Sequence, residues 1–297
     1  MKSRYFILLL LCSTIIAKNY NRRCPEHDFL LSRASRPTLD TFYTTANSTF
    51  MIHYDTTNIN DNGLYDMSDN NNNTIPDYIE SIGIAADSAK FILNNVMGFE
   101  EVTLDEDDIY DIYVHNLPSG YWGQTQSDNI EYLNPSFISL RNNYSGLSDR
   151  CSNVEDLVWL TTAHEYFHAV QLEYRKLTYE PYFKEFASMW LENVFVPDCF
   201  DFLDFTSPLF NNPEKNFDSQ VNIGSHGYSL ALYGHYLGRI VDVAGAENQM
   251  DGTIMRLIWE EYKKGGNAIN AVDDVLYEYF DGKSFIETWV DFMSRNL

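Results

Sequence analysis

The sequence predicts an α+β domain with a small mixed or antiparallel sheet and a helical half. Runs with β character lie before about residue 150, at 49–54, 109–115 and 137–140, whereas helical patterns take over from Asn153 onward. Strands first and helices later give segregated layers, not an alternating parallel sheet. The aromatic share of 15%, with 21 Tyr and 19 Phe, is enough to fill a core and argues for an ordered chain, and no segment repeats.

The chain opens with the basic Met1-Lys2-Ser3-Arg4, an apolar run from Tyr5 to Leu11 and a small residue at Ala17. This reads as a secretory leader, residues 1–17, cleaved before Lys18. The run is shorter than the roughly 20 residues needed to span a bilayer. Leu11 stands where a lipidated Cys12 would require a small residue. The mature chain is therefore expected to be secreted, extracellular or periplasmic, and free of membrane after cleavage.

Residues 18–46 read as an N-terminal arm belonging to the domain that follows, 47–297. After the strand at 49–54 comes a polar loop, 55–73, and Pro76-Asp77 then opens a helix. That helix carries Ile79, Ile82, Ala85, Ala86 and Phe91 toward one side and should stop near Gly98. The strands at 109–115 and 137–140 are separated by a Gly-bearing loop, 118–123. Helices are expected at 154–175, 182–194, 228–243 and 253–263, with another at the C-terminus.

The net charge is −23, and two units more negative once Lys2 and Arg4 leave with the leader. Such a surface repels phosphate backbones and anionic lipids, which excludes nucleic acid and membrane surfaces as partners. Three cysteines remain after cleavage, Cys24, Cys151 and Cys199. An oxidising compartment favours one disulfide. Cys151 and Cys199 flank the motif described next and are the expected pair, with Cys24 an alternative partner to either.

His164-Glu165-Tyr166-Phe167-His168 is the most informative stretch. Positions i and i+4 of a helix lie one above the other, so both imidazoles reach one tetrahedral Zn²⁺ while Glu165 faces its water. Leu157, Leu160, Thr161, His164, His168 and Gln171 fall on roughly one side of this helix, with Val158, Phe167 and Val170 as apolar support. A catalytic zinc has three protein ligands and an open fourth position. Glu185, Glu192, His226 and His235 are candidates for the third. Glu185 follows Pro181 near the start of the next helix, where small Ala187 and Ser188 permit close approach to the first.

A second pattern lies at Asp69-Asn70-Asn71-Asn72-Asn73-Thr74-Ile75-Pro76-Asp77-Tyr78-Ile79-Glu80. Asp69, Asn71, Asn73, Asp77 and Glu80 place side-chain oxygens at positions 1, 3, 5, 9 and 12, and Ile75 offers its carbonyl at 7, the ligand spacing of an EF-hand-type Ca²⁺ loop. Thr74 replaces the usual glycine. A plain Asn-rich turn, with Asp77 and Glu80 favourably placed at a helix N-terminus, accounts for the same residues without calcium.

His164-Glu165-Tyr166-Phe167-His168 together with Glu185-Phe186-Ala187-Ser188 resembles the gluzincin metallopeptidases, in which two histidines and a glutamate on the next helix hold zinc. The chain also looks like a group of secreted bacterial metallopeptidases. The shared stretches are Phe50-Met51-Ile52-His53-Tyr54-Asp55, Ile75-Pro76-Asp77-Tyr78-Ile79-Glu80, His164 through Gln171 and Glu185 through Glu192. The resemblance implies a zincin-like fold, with His164, His168 and Glu185 as zinc ligands and Glu165 as general base. It also implies a donor to the oxyanion near 226–228, Tyr228 first and His226 second, and a protein or peptide substrate. The separation of His168 and Glu185 is shorter than in the best-known gluzincins, which keeps Glu192 as an alternative ligand or a carboxylate behind a histidine. An inactive secreted binding or adhesion protein and a non-peptidase zinc hydrolase are the competing readings.

Overall fold

The computed structural model describes residues 34–58, 61–128, 135–176, 179–221 and 223–296. The leader and Cys24 lie outside them. Phe50, Ile52 and Tyr54 of β2 (Phe50–Tyr54) are buried and alternate with half-buried Met51 and His53, the period-2 pattern of a strand with one covered face. Next to it on one side is β1 (Thr41–Thr44), antiparallel, and on the other β3 (Tyr110–His115), parallel, with Phe50 opposite Tyr110. β5 (Phe137–Arg141) runs parallel to β3, and β4 (Gly123–Gln126) closes the edge antiparallel to β5. The sheet is therefore mixed, in the order β1-β2-β3-β5-β4.

Two of these strands depart from the sequence reading. β1 lies in the stretch read as an arm, and β4 emerges at the end of the stretch read as a loop. Each is four residues long and at an edge, too short for alternation to stand out against its neighbours.

Helix α1 (Asp77–Lys90) starts just after Pro76, whose fixed φ suits the helix entry, and continues into a π-helical turn, Phe91–Val96. Its buried stripe runs Ile79, Ile82, Ala86, Ala89 and Leu93. Phe91, expected on that stripe, is 60% exposed because it falls off the 3.6-residue period. Gly98, at φ 78°, ends the segment as the spacing predicts.

The central helix is α2 (Val154–Tyr174), capped by Asn153, whose side chain accepts the amide of Asp156 at 2.8 Å. Sequence periodicity suggests an amphipathic helix. Every residue from Thr161 to Leu172 is instead buried, because α1, β4, β5 and later helices cover it on all sides. α3 (Pro181–Phe195) packs along it, with Pro181 at its first turn.

Beyond α3, the disulfide between Cys151 and Cys199 joins the approach to α2 to the segment following α3, closing 48 residues of chain. The short α4 (Ser207–Asn211) leads to α5 (Ile223–Ser229) and α6 (Ala231–Tyr236), and a π-helical turn, Leu237–Val241, follows. The single helix expected at 228–243 is thus several pieces and begins earlier. Gly227 lies within α5, and a Cβ there would sit 2.5 Å from the Tyr182 carbonyl and 2.7 Å from Glu185 Cβ. Its missing side chain lets α5 lie directly on α3.

α7 (Thr253–Lys263), α8 (Ala268–Tyr279) and α9 (Phe285–Asn296) complete the helical half. Trp259 of α7 stacks on Phe183 at 5.1 Å and meets Phe167 edge-on at 6.4 Å, bracing α2 and α3 from behind. No helix among the described residues is long and apolar enough to cross a membrane.

Candidate metal centre

Helical geometry stacks His164 over His168 on α2, one turn apart, and α3 brings Glu185 across to both. The two Nε2 atoms are 3.0 Å apart, and Glu185 Oε2 lies 3.3 Å from His164 Nε2 and 3.5 Å from His168 Nε2. All three side chains are buried. Glu185 Oε2 receives no hydrogen bond of normal geometry, although it is shut off from water. Three buried donor atoms are thus gathered within 3.5 Å of one another.

This triangle fits a metal. Zinc bonds of about 2.0–2.2 Å at tetrahedral angles hold ligand atoms roughly 3.3–3.6 Å apart, close to what these atoms show. An orphaned buried carboxylate oxygen costs free energy unless a cation meets it. Two imidazoles and a carboxylate form a donor set that accepts a metal ion.

Behind each histidine stands an acceptor that fixes its tautomer. Glu192 Oε1 takes the His164 Nδ1 proton at 2.6 Å, and Gln171 Oε1 takes that of His168 at 2.9 Å. Gln171 is itself oriented, since its Nε2 donates to the Lys184 carbonyl and to Ser188 Oγ, both at 3.1 Å. With both Nδ1 atoms engaged as donors, both Nε2 lone pairs face the centre. Of the four candidates for third ligand, Glu185 joins the triangle and Glu192 sits behind His164. His235 packs near Phe202 instead, at 5.5 Å between rings.

Electrostatics follow from the burial. Desolvation alone would lower the basicity of His164, but its contacts with Glu185 and Glu192 outweigh that and raise its pKa to about 10. Burial would push the Glu185 carboxyl up, yet His168 and His164 hold it well below the usual carboxylate range. For Glu165 burial wins and its pKa is raised, against the pull of His164 and His168 and a hydrogen bond from Thr125.

Glu165 adjoins this group and is buried against β4. Thr125 Oγ1 lies 2.9 Å from Glu165 Oε2 and 2.7 Å from the Glu165 carbonyl. Tyr228 is buried beside His164, with its ring edge-on to the imidazole at 6.3 Å. His226 is turned to other work: its Nε2 is 2.8 Å from the Phe217 carbonyl, and its ring lies against Tyr182.

A second grouping, Cys151, Cys199 and Asp201, has both sulfurs committed to the disulfide. The Asn-rich loop before α1 is exposed and held by its own hydrogen bonds. Asp69 accepts the amides of Asn73 and Thr74, Asn71 Oδ1 accepts Asn73, and Asn73 Oδ1 accepts Ile75. Asp77 accepts from Asn70, and Glu80 accepts the side-chain amides of Asn71 and Asn73. Thr74 adopts φ 76°, the left-handed conformation its β-branch disfavours and a glycine would take freely.

No protein-family model matches the chain, and comparison with curated proteins returns no match. Sequence reasoning gave Ser188 only a packing role and assigned none at the site to Gln171, Thr125 or Gly123. Gln171 had a usable signal, standing three residues after His168 on the same helical side. Thr125 and Gly123 had none, because nothing local ties a four-residue edge strand to a helix that begins some thirty residues later.

Proposed function

We propose that the protein is a secreted zinc-dependent metallopeptidase, with His164, His168 and Glu185 as ligands and Glu165 as general base. The convergence of three buried donors on one centre, with Glu165 beside it, is the observation that carries this reading. When bound, zinc would lower the pKa of a water toward 7 and polarise a carbonyl. Glu165, its pKa raised by burial, is a stronger base than an exposed carboxylate, as a group that takes and returns a proton requires. It removes a proton from the attacking water, whose oxygen bonds to the carbonyl carbon, and the same proton passes to the amine nitrogen as the C–N bond breaks. Tyr228, beside His164, is the proposed hydroxyl donor to the oxyanion, ahead of His226, which is engaged with Phe217.

The peptide substrate is supported by β4, an edge strand of the sheet packed on α2. An edge offers backbone donors and acceptors to an extended chain. The disulfide supports an oxidising, extracytoplasmic location. The test is zinc analysis with hydrolysis of an unfolded protein such as casein, for the parent chain and Glu165→Ala. We expect stoichiometric zinc in both and loss of at least about 100-fold in kcat/KM in the variant. Zinc binding without hydrolysis of any peptide in a diverse library would replace this reading with that of a binding protein.

A further inference from the structure

We infer that strand β4 is the seat of Glu165, with Thr125 holding Oε2 and Gly123 leaving room for Oε1. The inference rests on the peptidase reading for its chemistry and on independent geometry for its placement. Thr125 and Gly123 are two apart on β4, so both project toward α2, and both are buried. Thr125 has a single hydroxyl proton and two acceptors in reach, Oε2 at 2.9 Å and the Glu165 carbonyl at 2.7 Å. A bond to an ionised carboxylate is the stronger of the two.

Gly123 does its part through absence. A Cβ built there would lie 2.6 Å from Glu165 Cγ, 2.8 Å from Oε1 and 3.0 Å from Cδ. No side chain larger than hydrogen fits unless the glutamate moves. The flanking residues Gln124 and Gln126, which alternate to the other side, are half-buried and free of this restriction. The Thr125 hydroxyl bonds Oε2, while Oε1 is the oxygen nearest Gly123. The carboxylate is thus anchored through Oε2 and fitted against Gly123 on the side of Oε1.

Thr125 is a positioning residue in this account, acting only through Glu165. The experiment compares zinc-loaded parent, Thr125→Val, Thr125→Ser, Thr125→Ala and Gly123→Ala by kinetics and by crystal structure. Thr125→Val keeps the shape and removes the hydroxyl. We expect it to retain zinc and KM while kcat falls roughly 10- to 100-fold, the loss of one hydrogen bond to a charged group. Thr125→Ser should recover most of that loss, and Thr125→Ala should match Thr125→Val, which covers the case that valine does not fold. Gly123→Ala should displace the Glu165 carboxylate and lower kcat further.

Full activity in both Thr125→Val and Thr125→Ala, or a Glu165 carboxylate unmoved in their crystal structures and in Gly123→Ala, would overturn the inference. If the parent itself hydrolyses no peptide, the peptidase reading fails. The crystal structures still judge the seat, by whether Glu165 shifts in the Val, Ala and Gly123→Ala variants and stays in Thr125→Ser.

Discussion

The chain carries two groups of residues with cation-ligand spacing, and they are built in opposite ways. His164, His168 and Glu185 are buried, come from two helices, and leave Glu185 Oε2 without a hydrogen bond. Asp69, Asn71, Asn73, Asp77 and Glu80 are exposed or half-buried and lie within one short stretch, 69–80, and their oxygens accept hydrogen bonds from that stretch itself. A buried polar atom left unpaired costs roughly 1–3 kcal/mol, and more if charged, so the first group gains most from an ion. The second already satisfies its oxygens, so a cation there displaces bonds as well as making them. Spacing alone does not separate the two; burial and the identity of the hydrogen-bond partners do.

The largest effects should come from breaking the buried group. His168→Ala and Glu185→Gln are each expected to abolish stoichiometric zinc in the purified protein, measured by elemental analysis. Glu192→Gln, which acts behind His164, should weaken zinc about 10- to 100-fold in a chelator competition without abolishing it. The reverse ranking of Glu185→Gln and Glu192→Gln would reassign the third ligand.

Next in size is the covalent tie between the two helices that carry His164, His168 and Glu185. Cys151→Ser with Cys199→Ser should destabilise the fold by about 2–4 kcal/mol in denaturant unfolding. The Asn-rich loop lies outside the bridged segment, so its local protection in hydrogen exchange should change little. Equal loosening of both regions would erase the contrast between them.

A third prediction concerns protons. In the metal-free protein His164 holds its proton up to about pH 10, so zinc uptake at pH 7 must expel it. Calorimetry in buffers of different ionisation enthalpy should detect about one proton released, with affinity rising roughly tenfold per pH unit between 6 and 8. A raised folded-state pKa stabilises the metal-free fold fully below the unfolded value near 6.5, and that contribution is lost as pH rises through about 10. The metal-free melting temperature should therefore fall across that window while the zinc form stays level. No proton release would mean that neither ring is charged in the metal-free protein at pH 7.

The smallest effect belongs to the exposed loop. A weak extracellular-type site, with a dissociation constant of about 10⁻⁴–10⁻³ M, would stabilise the fold by roughly 1 kcal/mol at 2 mM calcium. That corresponds to a rise of about 2–4 °C in melting temperature, cancelled in Asp69→Asn. A shift that survives Asp69→Asn would move calcium elsewhere, and no shift at all would leave the loop's own hydrogen bonds as its whole explanation.

What the sequence determined by itself is whatever local periodicity dictates. The spacing of His164 and His168 on one helical side, the start of α1 after Pro76 and the pattern of β2 and β3 were all legible, as was an α+β class. Each depends on residues within a turn or two, whereas the pairing of Cys151 with Cys199, expected with Cys24 as an alternative, was decided by the fold. Tertiary structure decided the rest. It set Glu185, and not Glu192, His226 or His235, beside both Nε2 atoms, because only the packing of α3 on α2 fixes which carboxylate reaches them. It showed that α2 is enclosed on all sides, and it brought Thr125 and Gly123 from an unforeseen edge strand against Glu165. These meetings join segments far apart in the chain, and no local pattern records where the chain's distant parts will touch.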